Sequence, residues 1–395
     1  MPLEPSGRSH TLWTLALATV LVVVLFVVNG RWGDNANVDA VASAIPAWSL
    51  VEESTLDLTP HAGENPWFVQ DASGRIVSDR APGLIAIPVP GYALARVSNF
   101  SNSPATVTAM LATLAAAVLV SLMVKPLLDW KAALAAGVVF ALGTTTWSVS
   151  SAQLWPHGPG QLAALLTVAA MAASRYLGAG LATAWAITMR PIAAVYAAVI
   201  GILESARKRD WRPAMRYGSL CLAGMSLVLI YNRWLFGQWS LDGGGADGLM
   251  GRFGDDYTLS WHAGNLWTML FSLRHGVFVL SPIVLVTTIG AMVHRNVVPP
   301  WARSAAIGGA VYLLVHAAFN RASGGAQLFY RYPLEALALA AVALAVGGAA
   351  LYKSSRAGRL LVTWSAGISI AIQFVNVFYL SCITANPYTI ACQIL

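Results

Sequence analysis

Eleven stretches of apolar residues recur along the chain, near 11–29, 104–124, 132–150, 158–174, 178–189, 191–204, 217–236, 277–293, 304–320, 334–352 and 360–380, and most charged residues fall between them. A bilayer core about 30 Å thick takes about 20 apolar residues of helix. Helices and closed barrels are the only backbones that satisfy their own hydrogen bonds inside it. The pattern predicts an all-α polytopic membrane protein of about 11 transmembrane helices, within a range of 10 to 12, forming a single domain over residues 1–395. Charged residues make up only 10% of the chain, where a soluble domain carries about 25%. A secreted enzyme, a cytosolic enzyme and a free nucleic-acid binder are excluded, so no nucleic acid is expected among the partners.

Charge then gives topology. The first run follows Arg8, is long for a signal segment and lacks an adjacent A-x-A site, so it reads as an uncleaved first helix. With the N-terminus inside, the cytoplasmic segments hold 14 of the 24 basic residues and four of the 17 acids, +10 against −3 on the outer side. The cluster ARKRDWRPAMR is the strongest vote for that orientation. Residues 178–204 read either as one span centred on Arg190 or as two short ones turning at Arg190-Pro191. The charge rule prefers two, although 12 residues of helix rise only about 18 Å.

Two outer segments are too long for simple connections. The first extracytoplasmic loop, 29–103, carries eight acids together with Trp48 and Trp67. The second, 238–276, is rich in Gly and Asp and ends in NLWTMLFSLRHG, an interfacial rather than spanning stretch. No repeat is visible, inverted or direct, which disfavours a symmetric transporter. The three cysteines show no metal-binding spacing.

Candidate chemistry gathers on the outer side. In GRWGDNANVDA, Asp34 lies just past the first helix, where a carboxylate can take a proton from an incoming hydroxyl. A helix cap is the bland alternative for Asp34, and Asp39 is the competing carboxylate. GRIVSDRAPGL brings Asp79 and Arg80 to the head-group layer, either as a surface salt bridge or as a binder of phosphate diester. Arg190 lies in apolar surroundings, where a charge is costly and is kept for a partner or ligand unless it snorkels to the interface. Arg274 falls in the interfacial stretch on the outer side, and Arg331 in FYRYP at the outer end of a helix. Arg80, Arg190, Arg274 and Arg331 thus form a candidate donor-phosphate set. His157 of LWPHGP, Tyr332 and Trp67 are candidate substrate contacts.

Taken in order, GDNANVDA, SDRAPG, ALGTTTWSVSSAQLWPHGP, MRP, YNRWLFG, LRHGVFVLSP and GGAQLFYRYP resemble the GT-C superfamily of membrane glycosyltransferases. The likeness is to the broad group of protein O-mannosyltransferases and of the aminoarabinose transferases that modify lipid A. It implies a GT-C-like helical bundle in a bacterial-type inner membrane, its active site facing the periplasm, working on cell-envelope glycans. It further implies a polyprenyl-phosphate-linked sugar donor, a glycan, lipid or protein acceptor, and a first-loop Asp as general base in an inverting transfer. Asp34 matches that Asp by position. Because Asn35 follows where the Asp-Glu form has an acid, Asp39 stays open as the equivalent, with Asp79 as a third catalytic carboxylate. No metal or other cofactor is required, although the outer carboxylates leave room for a divalent cation. The sequence ends after the bundle, so acceptor recognition is expected from loops or a partner. Two other readings are a lipid-linked glycan polymerase or ligase, whose large outer loop comes late in the chain, and a flippase of a lipid-linked sugar, which needs ionisable groups at mid-bilayer.

Overall fold

Segments this apolar must satisfy their own backbone groups, and they do so as helices. The computed structural model describes residues 5–33, 37–61, 63, 65–243, 263–319 and 329–380, and among them the one sheet is a two-stranded hairpin. In chain order the first helices are α1 Pro5–Asn29, α2 Val38–Glu52, α3 Pro82–Ala86, α4 Val89–Ala95, α5 Ser103–Val124, α6 Trp130–Leu142, α7 His157–Ala172 and α8 Tyr176–Met189. There follow α9 Ala193–Lys208, α10 Arg212–Phe236, α11 Ala263–Phe271, α12 Val277–Leu280, α13 Pro282–Val293, α14 Pro300–Phe319, α15 Pro333–Ser354 and α16 Arg356–Val375.

Local chemistry sets their ends. Proline, which lacks the N–H that a first turn leaves unused, stands in the opening turn of α5, α10, α13 and α15. Side-chain oxygens of Asn37, Asp129 and Ser355 accept from the backbone N–H groups of Asp39, Ala132 and Gly358, capping α2, α6 and α16.

Among the described residues, four helices are long and apolar enough to cross a membrane, namely α5, α10, α15 and α16 with its continuation to Leu380. The expected count of about 11 spans is not met by that measure. Helices α6, α8 and α13 have 13, 14 and 12 residues, and 14 residues rise only about 21 Å. Two of the expected spans also break. The run 132–150 stops being α-helical after Leu142, where Gly143 leads into a wide turn over Thr146–Ser150. The run 277–293 is cut at Ser281-Pro282, since a proline cannot donate to the preceding turn. At 178–204 the chain does form two helices: α8 ends at Met189, Arg190 is extended, and α9 begins after Pro191.

The segment 29–103 is a folded layer rather than an open loop. Along α2, residues Ala42 to Ser49 are all buried. Strands β1 Phe68–Gln70 and β2 Ile76–Ser78 pair antiparallel, with Val69 opposite Val77. Those two valines pack on Leu235 and Phe236 at the end of α10, and Ala72 N–H donates to the Leu235 carbonyl at 3.0 Å. The hairpin is thereby fixed over the bundle end. Its turn is held by Asp71, which accepts from Ser73 N–H at 2.8 Å and Arg75 N–H at 2.9 Å. Burial works against the Asp71 charge, but the hydrogen bonds from Ser73 and Arg75 outweigh it and hold the carboxyl below its ordinary value.

Small residues let the helices approach. A side chain on Gly224 of α10 would stand 2.8 Å from the Ala184 Cα of α8, and one on Gly309 of α14 would stand 2.8 Å from the Ala336 carbonyl of α15. The main core spans α5, α7, α8, α9 and α15, while Met269 of α11 is buried in a separate small cluster with Ala317 and Tyr332, and Trp267 is exposed.

Candidate active site

Helices α8 and α10 finish, and α7 and α15 begin, at one end of the bundle. A polar cavity of about 210 Å³ lies there, roofed by the hairpin and the start of α2. Its walls carry Asp39, Trp67, Asp79, Arg80, His157, Arg190, Arg331 and Tyr332, drawn from positions 39 to 332 of the chain.

Asp39 is the hub of the first cluster. It stands in the first turn of α2, presented by the Asn37 cap. Its Oδ1 accepts from Arg80 Nη2 at 2.9 Å and its Oδ2 from Arg331 Nη1 at 3.2 Å. Each guanidinium lies over an indole, Arg80 at 4.0 Å from the Trp67 ring and Arg331 at 4.5 Å from that of Trp155. Stacking of this kind fixes the plane of an arginine. The anchor for Arg80 is local: Ser78 Oγ donates to the Ala42 carbonyl of α2 at 2.6 Å and accepts from Arg80 N–H at 3.2 Å. Strand β2 and α2 are pinned together at the point where Arg80 meets Asp39. Arg80 Nε lies 3.9 Å from Asp79 Oδ1, so the neighbouring pair of the sequence is the looser contact.

Glu335 organises the second cluster. It belongs to the first turn of α15, is 4% exposed, and accepts at Oε1 from both Arg190 Nη1 at 3.1 Å and His157 Nδ1 at 3.0 Å. A buried carboxylate demands such partners. Arg190 also donates to Tyr312 Oη at 3.4 Å and lies 5.3 Å from the Tyr332 ring. Tyr332 stacks on His316 at 4.8 Å. Glu335 Oε2 is buried without a hydrogen-bond partner among the described residues, as is Arg331 Nε on the cavity wall. Three guanidinium groups therefore surround a small polar space between two carboxylate hubs, an arrangement suited to an oxyanion that displaces Asp39 from Arg80 and Arg331.

The structure brings together eight of the ten residues singled out in the sequence. Arg274 is not brought to the cavity: it is exposed and lies in the turn between α11 and α12, outside the cavity wall. Asp34 lies outside the described residues. Glu335, Trp155, Asn232 and Asp242 are cavity or hub residues not singled out from the sequence. Glu335 carried a signal, being the sole acid in the apolar run 334–352, and Trp155 stands two residues before His157. Asn232 stands within YNRWLFG, and Asp242 carried no signal. Among the described residues no three metal-ligating side chains gather at one point.

No family model matches the chain, and no curated protein matches it. Among solved structures it is similar to the crystal structure of ArnT from Cupriavidus metallidurans bound to undecaprenyl phosphate, at 12% identity and a TM-score of 0.55, over 99% of this chain and 75% of that one. The likeness is one of fold: the chain is built as a helical bundle similar to that of this structure.

Proposed function

We propose that this chain is a membrane glycosyltransferase that moves one sugar from a polyprenyl-phosphate donor to an acceptor hydroxyl on the outer face. The observation that carries the reading is the cavity itself: Arg80, Arg190 and Arg331 converge with Asp39 at one end of a fold shared with a protein crystallised with undecaprenyl phosphate. An acceptor oxygen attacks the anomeric carbon, the bond from that carbon to the phosphate oxygen breaks, and its electron pair leaves with the polyprenyl phosphate. The leaving group goes from a phosphodiester to a monoester and so gains charge. Guanidinium groups already in place stabilise that gain in the transition state more than in the ground state. Attack from the face opposite the phosphate inverts the anomeric centre.

The acceptor proton goes to a carboxylate. Asp39 is the described carboxylate held between Arg80 and Arg331, and Asp34 precedes it by five residues. Both oxygens of Asp39 are engaged by arginines. A phosphate arriving on Arg80 and Arg331 takes over those bonds and frees the carboxylate for the acceptor. The polyprenyl tail fits an apolar groove of about 490 Å³ between α13, α14 and α15, lined by Leu313, Ala340 and Leu344 and reaching Pro333, the neighbour of cavity residue Tyr332.

The test is sugar transfer in liposomes supplied with polyprenyl-phosphate sugars. Wild type should release polyprenyl phosphate and yield an inverted glycoside, and either Asp39→Asn or Asp34→Asn should bind donor without turnover, which assigns the base. Full activity in both would move the base to Asp79. Donor that reaches the far leaflet chemically unchanged would replace the reading by transport.

A further inference from the structure

A further cavity, which sugar transfer does not use, has its mouth at the other end of the bundle and runs inward along α15 to Leu337. It has a volume of about 500 Å³, lies between α6, α13, α15 and α16, and is walled by aliphatic and small side chains such as Ala136, Val139, Ile283 and Leu344. A cavity of that size is ample for a ligand. Its mouth carries Lys131 and Lys353. Lys131 opens α6 and Lys353 closes α15, some 18 residues and about 27 Å along the helix from Glu335. Both lysines are exposed.

Charge at this mouth is net positive. Asp129 is present, but its side chain caps α6 by accepting from Ala132 N–H at 3.0 Å. Arg359 adds a guanidinium 5.5 Å from the ring of the wall residue Tyr352, and Arg356 begins α16 beside it. An apolar slot running into the membrane region with ammonium groups at its lip is complementary to a molecule with an anionic head and a hydrocarbon tail. We propose that this groove holds an anionic phospholipid of the leaflet at the basic end, its phosphate between Lys131 and Lys353 and one acyl chain between α6 and α15. A leaflet lipid occupies that depth without a path through the protein, whereas a sugar-carrying donor is needed at the opposite end.

Native mass spectrometry of protein extracted from mixed phosphatidylglycerol and phosphatidylcholine vesicles tests this without any transfer reaction. Wild type should retain phosphatidylglycerol selectively, and Lys131→Ala/Lys353→Ala should lower retention roughly tenfold or more, since each basic group near a membrane surface contributes separately. Ala136→Trp, which fills the slot and leaves both lysines, should lower it as well. Arg212→Ala/Arg216→Ala, at the same end but away from the groove, should leave it unchanged. Undiminished retention in the double lysine variant, equal retention of phosphatidylcholine, or displacement of the bound phosphatidylglycerol by added undecaprenyl phosphate would each overturn the proposal.

Discussion

Glu335 shows how strongly a single residue is constrained here. One oxygen serves both Arg190 and His157 while the chain around it is apolar, and removing one partner of a buried pair leaves a charge that nothing compensates. Glu335→Ala should therefore cost roughly 3 kcal/mol in detergent unfolding, and the double variant Glu335→Leu/Arg190→Leu should recover a good part of that loss. If the two single costs simply add in the double variant, the pair is not coupled. Arg80 tests the donor site differently. Lysine keeps the charge but loses the planar fork and the stack on Trp67. A hydrogen bond to a charged group is worth about 1.5–3 kcal/mol, so Arg80→Lys should lower kcat/KM roughly tenfold to a hundredfold with the fold unchanged. These residues differed in how legible they were. Arg80, Arg190 and Arg331 were found because charge in an apolar chain is conspicuous. Arg274 was found by the same signal and is not in the cavity, since hydropathy fixes the end of the bundle a residue occupies but not the direction of its side chain.

At the scale of elements, the break at Arg190-Pro191 explains itself. Two helices too short to span meet there, and the extended residue between them sends its guanidinium to Glu335. The charge rule anticipated that break. It did not anticipate the ends of α6 and α12, because Thr and Ser raise little polarity in an otherwise apolar window while their hydroxyls bond back to local carbonyls, as Thr144 does to Phe140 at 2.7 Å. The hairpin was also hidden, its strands being only three residues each. Its stability should depend on pH through Asp71. A carboxyl held below its ordinary value when folded stabilises the fold above the unfolded value, about 3.9, and that contribution is lost as pH falls through the folded value. Hydrogen exchange at Arg75 and Ser73 amides should therefore accelerate below about pH 4 relative to the helices, and Asp71→Asn should already exchange fast at neutral pH. Exchange that stays slow in the Asn variant would mean that packing on Leu235 and Phe236, not the turn, holds the hairpin.

For the whole molecule the decisive quantity is sidedness. The hairpin, Asp39 and the openings of α7 and α15 share one end, and the cluster Arg207 to Arg216 shares the other with Lys131 and Lys353. An excess of Lys and Arg in short connections keeps them on the cytoplasmic side during insertion, so the cavity is predicted to lie outside, as the proposed transfer from a lipid-linked donor requires. The prediction uses a chain with Cys221, Cys382 and Cys392 replaced by serine and one cysteine added back at either of two exposed positions, Ser73 or Lys208. In intact spheroplasts an impermeant maleimide should label Ser73→Cys at once and Lys208→Cys only after permeabilisation. The reverse pattern would put the three arginines on the cytoplasmic side and require a donor synthesised and consumed on the same face. Labelling of both positions from outside would deny that the helices between them carry the chain across, and the two polar ends would then have to be explained without a membrane between them.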